Sequence, residues 1–267
     1  MLMTRGSRIK TAVASRFGGY SPFMRWYRTV RPRWLWRMTS PYGAATTRYV
    51  KENGLKVKRG PFVGLTFPPR ALGHANYLAS KLAGSYEPDV LDFIEDQVGA
   101  SDIFVDLGSG DGFFCAGVAK IGEVKVIGYE TNSFERRLAL DLARVNRVEM
   151  DIRGLATPRE LDTLPEGRLL LLSDVEGFEE DLLDPEECER LKAATLVVEV
   201  HEMIRPNVVR VRKERFDGTH TITRVFAQVS DVGNFSELEA WGSEPASFAL
   251  SDGHSEGNSW LMMKPKV

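Results

Sequence analysis

The sequence predicts an α/β fold, a doubly wound and mostly parallel sheet with antiparallel strands at one edge. Three observations lead there. Short apolar runs suited to burial on both faces (Phe104–Val105, Val126–Glu130, Leu169–Leu172, Thr195–Val200) alternate with stretches of helical periodicity. The first run passes through a glycine-dense turn, Gly108-Ser109-Gly110-Asp111-Gly112, into an apolar helix, Phe113–Ile121. Finally, Asp106, Glu130, Asp174 and His201 each stand at or just past the carboxyl end of a run, the rim at which doubly wound sheets bind ligands.

In chain order, the first 60 residues stand apart. Of 35 Lys/Arg and 37 Asp/Glu in the 267 residues, residues 1–60 hold 14 basic side chains and one acid, Glu52. A strongly basic arm on an acidic body bears on partners rather than on fold. The densest part, Met24–Met38, interleaves arginines with Trp26, Trp34 and Trp36. Residues 1–40 admit a peripheral membrane contact, an organellar transit peptide, a nucleic-acid arm or a solvated extension. The membrane contact is favoured among the active readings. The remaining chain, 61–267, is read as one domain with a core at 84–202 and edge strands at 219–264.

Residues 60–82 read as an irregular lead-in with short strands at Phe62-Val63 and Leu65–Phe67, broken by Pro68-Pro69. A helix opens at Glu87-Pro88, with Val90, Leu91, Ile94 and Val98 on one face and Gly99 as its stop. After Glu130, Asn132 and Glu135 have the spacing of a reciprocal cap, and Leu138, Leu142 and Val145 make the buried stripe behind it. A short strand is expected near Val148–Ile152, and a loop or short helix at Thr157–Leu164. Asp184-Pro185-Glu186-Glu187 reads as a strong helix start. The tail gives two β-rich runs, His220–Gln228 and Ser259–Met263, expected to pair antiparallel. Cys115 and Cys188 fall in predicted helices without metal-type spacing, which suits free thiols in a reducing compartment. No run approaches the roughly 20 apolar residues of a membrane span.

The glycine turn carries the functional reading. A dinucleotide fingerprint needs G-x-G-x-x-G, but here the third glycine comes one residue early, which disfavours a nicotinamide oxidoreductase. A Walker-type loop is excluded, since no G-x-x-x-x-G-K-[ST] is present at this site. The G-x-G-x-G pattern with Asp106 two residues before it resembles motif I of the class I S-adenosylmethionine-dependent methyltransferases. Glu130, at the tip of the second strand, is placed to accept hydrogen bonds from both hydroxyls of a ribose. No N/D-P-P-Y/F element follows the fourth strand, so methylation of nucleic-acid bases is disfavoured.

The stretches SYEPDVLDFIEDQV, FVDLGSGDGFF, SDVEGFEEDLL and LVVEVHE, in that order, resemble the FkbM family of methyltransferases over roughly Gly84–Glu202. The run Asp174–Glu179 is the part most particular to that family. Family members usually carry a different glycine loop and a basic residue where Ser173 stands. The resemblance implies a seven-stranded, Rossmann-like methyltransferase sheet, S-adenosyl-L-methionine as donor, and O-methylation of a hydroxyl on a glycan, lipid-linked glycan or small metabolite. The expected cofactor-binding residues are Glu87, Asp106, Gly108, Ser109, Gly110, Gly112, Glu130 and Asp174. Asp106 would orient the loop or meet the methionine amino group.

Methyl transfer to an alcohol needs an in-line geometry and a base for the proton. Asp174, Glu176 and His201 are the candidates, although each also has a structural use as a cap, a loop anchor or a rim histidine. Oxygen and imidazole ligands at the same three positions would suit Mg or Mn, but no metal is assigned. A non-catalytic adapter binding nucleic acid or a protein is the alternative of a different class. A cytoplasmic location is expected, peripheral to the inner membrane face or, with a transit peptide, organellar.

Overall fold

A computed structural model describes residues 40–73, 77–202, 207–228, 230–253 and 258–266. The readings made for residues 1–39 therefore lie outside the described residues. Helix α1 (Pro41–Asn53) starts on Ser40, whose hydroxyl accepts from the N–H of Gly43, with proline in the first turn. The chain continues through α2 (Leu78–Ala83) and α3 (Pro88–Val98) to β1 (Ile103–Leu107), α4 (Phe113–Ile121), β2 (Lys125–Tyr129), α5 (Ser133–Asn146) and β3 (Asp151–Arg153). Next come α6 (Pro158–Asp162), β4 (Leu169–Ser173), α7 (Glu179–Leu182), β5 (Thr195–Val200), α8 (Val208–Phe216), β6 (His220–Phe226), α9 (Ser243–Leu250) and β7 (Ser259–Pro265).

The seven strands form one sheet in the order β3-β2-β1-β4-β5-β7-β6. β1 through β5 run parallel, while β7 lies antiparallel to both β5 and β6. This is the seven-stranded α/β sheet anticipated from the sequence. The strand order reverses between β1 and β4, which opens a crevice beyond their carboxyl ends.

Alternation along the strands divides the core in two. Phe104, Leu170, Leu172, Val197 and Met262 pack toward α1, α3, α4, α5 and α9. Ile103, Val105, Leu107, Leu171, Leu196 and Val198 pack the other way, with Leu161, Leu182, Leu183 and Phe216. The same alternation puts Asp106 of β1 and Glu199 of β5 on the first face. Asp174, one residue past β4, continues the parity of Leu170 and Leu172.

Several local expectations are corrected. The apolar stripe of α5 is Leu138, Ala139, Leu142 and Ala143, whereas Val145 is exposed. The N–H of Asn132 is taken by the Glu130 carboxylate at 2.6 Å, so the anticipated reciprocal bond from Glu135 gives way to a nearer acid. Asp184 caps only a turn, through the N–H of Glu186 at 3.0 Å, and a 3₁₀ turn at Glu189–Ala193 follows. The chain must reach β5 within a few residues while burying Cys188 and Leu191, which leaves no length for a full helix. Among the described residues the lead-in has one antiparallel bridge, from Thr66 back to Lys56, in place of strands, and α2 follows where no helix was expected. Cys115 and Cys188 are both buried and free. Among the described residues no helix is long and apolar enough to cross a membrane.

Candidate functional site

The crevice at the strand reversal is shaped first by backbone. Gly108 leaves β1 with φ 88°, and a methyl group on it would lie 1.9 Å from the carbonyl oxygen of Asp174. Only glycine lets the two chain ends pass that closely. The N–H groups of Gly108 and Ser109 both donate to the Tyr129 carbonyl, at 2.8 and 3.0 Å, which fixes the loop against β2. From the tip of β2, Glu130 reaches back so that its Oε2 accepts from the N–H of Gly110 at 3.0 Å. Its carboxylate is thus held at the mouth of the glycine loop. Beside it opens a cleft of about 310 Å³, lined by Gly108 and Glu130, by Gly154–Ala156 after β3, and by Asp174–Glu176 after β4. The volume is at the small end of the range for ligand sites.

The other expected cofactor residues divide. A side chain on Gly110 would meet nothing closer than 3.9 Å, so open space faces its Cα. Gly112 serves a different end: a methyl there would strike Ala139 at 2.6 Å, so this glycine lets α4 approach α5. The Ser109 hydroxyl is buried, turned inward beside Gly128 of β2. Asp106 is also buried and accepts from the Cys115 thiol at 3.4 Å. Burial pushes its carboxyl up to about 7; the thiol bond works against that rise, and the charges of Glu130 and Asp111 add to it. Glu87 is buried just before α3 with φ 46°, an uncommon conformation for a non-glycine residue.

Asp174, Glu176 and His201 converge, and two further acids join them. His201 Nδ1 lies 2.9 Å from Oε1 of Glu179, which also accepts from the N–H groups of Val175 and Gly177. His201 Nε2 is 3.5 Å from Glu199 Oε2, 3.6 Å from Asp174 Oδ1 and 3.8 Å from Glu176 Oε2. Burial opposes charge on the imidazole, but the bond to Glu179 and the charges of Glu199, Glu179 and Glu176 together raise its pKa. Asp174 is pushed well above the carboxylate range by burial, then by the charge of Glu199 and a hydrogen bond with it. Glu179 goes the opposite way: the His201 bond outweighs burial and holds it low.

Sequence reasoning missed the residues that brace this rim. Lys81 of α2 pairs with Asp111 of the glycine loop at 2.7 Å, and its ammonium lies 4.9 Å from the Tyr86 ring centroid. Tyr86 packs edge-on to Phe113 at 5.7 Å, and burial followed by the charges of Glu87, Asp174, Asp111 and Glu199 raises its pKa far above normal. Acids from five segments therefore surround one rim, with Lys81 and His201 as the cationic or ionisable counterweights. Lys81 carried no local signal, because the contact spans 30 positions. Gly154–Ala156 offered a weak one, a glycine just past a strand end.

No protein-family model matches the chain, and no curated protein matches it. Solved structures do resemble it. Precorrin-6y C5,15-methyltransferase from Geobacter metallireducens is 14% identical, with 66% of this chain and 86% of that chain covered and a TM-score of 0.45. An rRNA methylase from Streptococcus thermophilus is 12% identical over 67% and 96%, with a TM-score of 0.47. The tRNA (uracil-54, C5)-methyltransferase of Pyrococcus abyssi, in complex with S-adenosyl-L-homocysteine, is 16% identical over 67% of this chain and 38% of that one, at 0.43. Likenesses at this level assign neither reaction nor substrate.

Proposed function

We propose that this chain is an S-adenosyl-L-methionine-dependent O-methyltransferase of FkbM type, acting on a hydroxyl of a glycan, a lipid-linked glycan or a small metabolite. One observation carries the reading: a carboxylate at the tip of β2 is bonded to the glycine loop at the strand reversal, beside an open cleft. Ribose hydroxyls donate to such a carboxylate, and Glu130 is the residue that would bind them. The adenine would lie against Thr131 and Gly154–Ala156, which line the same cleft as Glu130. A methyl donor with a sulfonium and an α-ammonium suits a rim that gathers Glu87, Asp111, Asp174 and Glu199.

S-adenosyl-L-methionine supplies an activated methyl group; the chain's own residues hold it in line and receive the acceptor. Gly110, with open space at its Cα, would let the main chain pass the ligand closely, while Gly108 lets the loop pass the chain after β4. Asp174 and Glu176, which line the cleft, and His201 beside them are the groups that would take the acceptor's proton. The basic aromatic arm at residues 1–40 motivates the lipid-linked acceptor, since arginines and tryptophans together favour an anionic membrane surface.

The test is thermal shift with S-adenosylmethionine and S-adenosylhomocysteine, followed by labelled-methyl transfer into extract separated into lipid, glycan, small-molecule and RNA pools. Stabilisation by both nucleosides and label in the glycan, lipid or small-molecule pool are expected. Label confined to RNA, or no stabilisation, would overturn the reading. In the same assay Glu130→Ala is expected to weaken nucleoside binding by roughly 1–3 kcal/mol, the scale of a charge-assisted hydrogen bond. Calorimetry showing unchanged affinity would remove Glu130 from the site.

A further inference from the structure

Asp174, Glu176 and His201 each offer a ligand atom, and these atoms lie within 4.8 Å of one another. Two further observations separate this cluster from an ordinary acidic rim. The first is the orientation of the imidazole. Its Nδ1 sits 2.9 Å from Glu179 Oε1, on a carboxylate 1% exposed that two backbone N–H groups also hold. An ionised carboxylate can only accept, so Nδ1 carries the hydrogen, and the ring presents an Nε2 lone pair once a cation displaces the proton there. That lone pair faces oxygens alone, those of Glu199, Asp174 and Glu176 at 3.5–3.8 Å.

The second observation is Asp174 Oδ1, a buried atom on a side chain 38% exposed, which no N–H group of the described residues meets; the only relief its carboxyl finds is the bond with Glu199, another acid. Among the described residues no lysine or arginine pairs with Asp174 or Glu176. Three acids gathered around one imidazole nitrogen, with no lysine or arginine among them, leave an electrostatic deficit that a cation fills. A histidine whose far nitrogen is fixed by a buried carboxylate is also the usual outer support of a metal ligand.

We propose that His201 Nε2, Asp174 and Glu176 bind a divalent first-row transition cation, with Glu179 as the positioning residue behind the imidazole. The imidazole ligand favours Mn²⁺ or Zn²⁺ over Ca²⁺, and the two carboxylates keep Mn²⁺ within the set. Three protein ligands leave positions open on the side of Glu176, whose side chain is 75% exposed. The cation site stands without the methyl-transfer reading. Its consequence rests on that reading: an acceptor hydroxyl bound at an open position loses its proton more readily.

The full chain, stripped with chelator, is titrated with Mn²⁺ while free Mn²⁺ is followed by electron paramagnetic resonance, and Zn²⁺ is then added as competitor. One cation per chain is expected, with affinity reduced at least about tenfold in Glu176→Gln and in His201→Gln. Glu176→Gln changes an exposed side chain, so its loss of binding does not reduce to a loss of folding. Glu179→Gln is expected to weaken the cation while leaving all three ligands in the chain, and circular dichroism confirms that it folds. The proposal is overturned if neither cation binds stoichiometrically up to about millimolar concentration, or if both ligand variants bind as the wild type does. A proton then occupies the space instead, on an imidazolium. Nucleoside binding measured separately keeps the two readings apart: nucleoside without cation sinks only this site, and cation without nucleoside sinks only the methyl-transfer reading.

Discussion

Asp106 is 1% exposed, and burial lifts its folded-state carboxyl to about 7 against an unfolded value near about 3.9. Between those two values the folded chain keeps a proton that the unfolded chain has released. Stability therefore falls as pH rises from about 4 to about 7 and is level above that, with a full cost of roughly 4 kcal/mol at most. Asp106→Asn stays neutral and escapes the slope. Urea midpoints across pH 5 to 8 are expected to move in favour of the variant as pH rises; a constant gap would show that the folded carboxyl is not held neutral. The sequence showed that an acid ends β1, but not which way it points, because direction depends on alternation within a sheet whose register is set by other strands. Glu130 was easier to read, since strand, loop and acid follow one another locally. Glu179 was not: its bond to His201 spans 22 positions and crosses from β4 to β5.

At the level of elements, strong local signals and observed boundaries agree. Helix α4 runs over Phe113–Ile121 and α3 over Pro88–Val98, as glycine, proline and apolar spacing required. Disagreement arises where tertiary demand overrides propensity, as at Asp184, whose cap stops at a turn. The glycines of the loop illustrate the same division. All three have positive φ, yet an added methyl finds open space at Gly110 and Ala139 at Gly112. Gly110→Ala is accordingly expected to cost about 1 kcal/mol, from backbone strain alone. Gly112→Ala must also part α4 from α5 and is expected to cost roughly 2–4 kcal/mol. Thermal unfolding of the pair checks this, and equal losses would mean that helix approach does not set the spacing of the turn.

For the molecule as a whole, charge composition was a poor guide to where the body begins. The excess of arginine marks off residues 1–60, yet within that segment Ala45, Tyr49 and Val57 are buried in the same core as α9 and β1. Ala45 and Tyr49 lie four apart on one helical face, a signal that a charge balance averages away. Their docking is fixed by a polar strap at the far end of the chain. Glu237 receives two hydrogen bonds from Arg59, at 2.6 and 2.5 Å, and one from the Tyr49 hydroxyl at 3.1 Å. Arg59 holds the Glu237 carboxyl down to about 2, burial opposing it. Arg59 is itself 38% exposed, so solvent screens part of that attraction. Glu237→Gln is expected to lower stability by roughly 1–2 kcal/mol in urea. Nucleoside affinity by calorimetry is expected to stay unchanged, because the strap joins chain ends on the helical layer and lends no side chain to the cleft. A fall in affinity that tracks the fall in stability would show instead that the first helix and the C-terminal segment close upon the ligand.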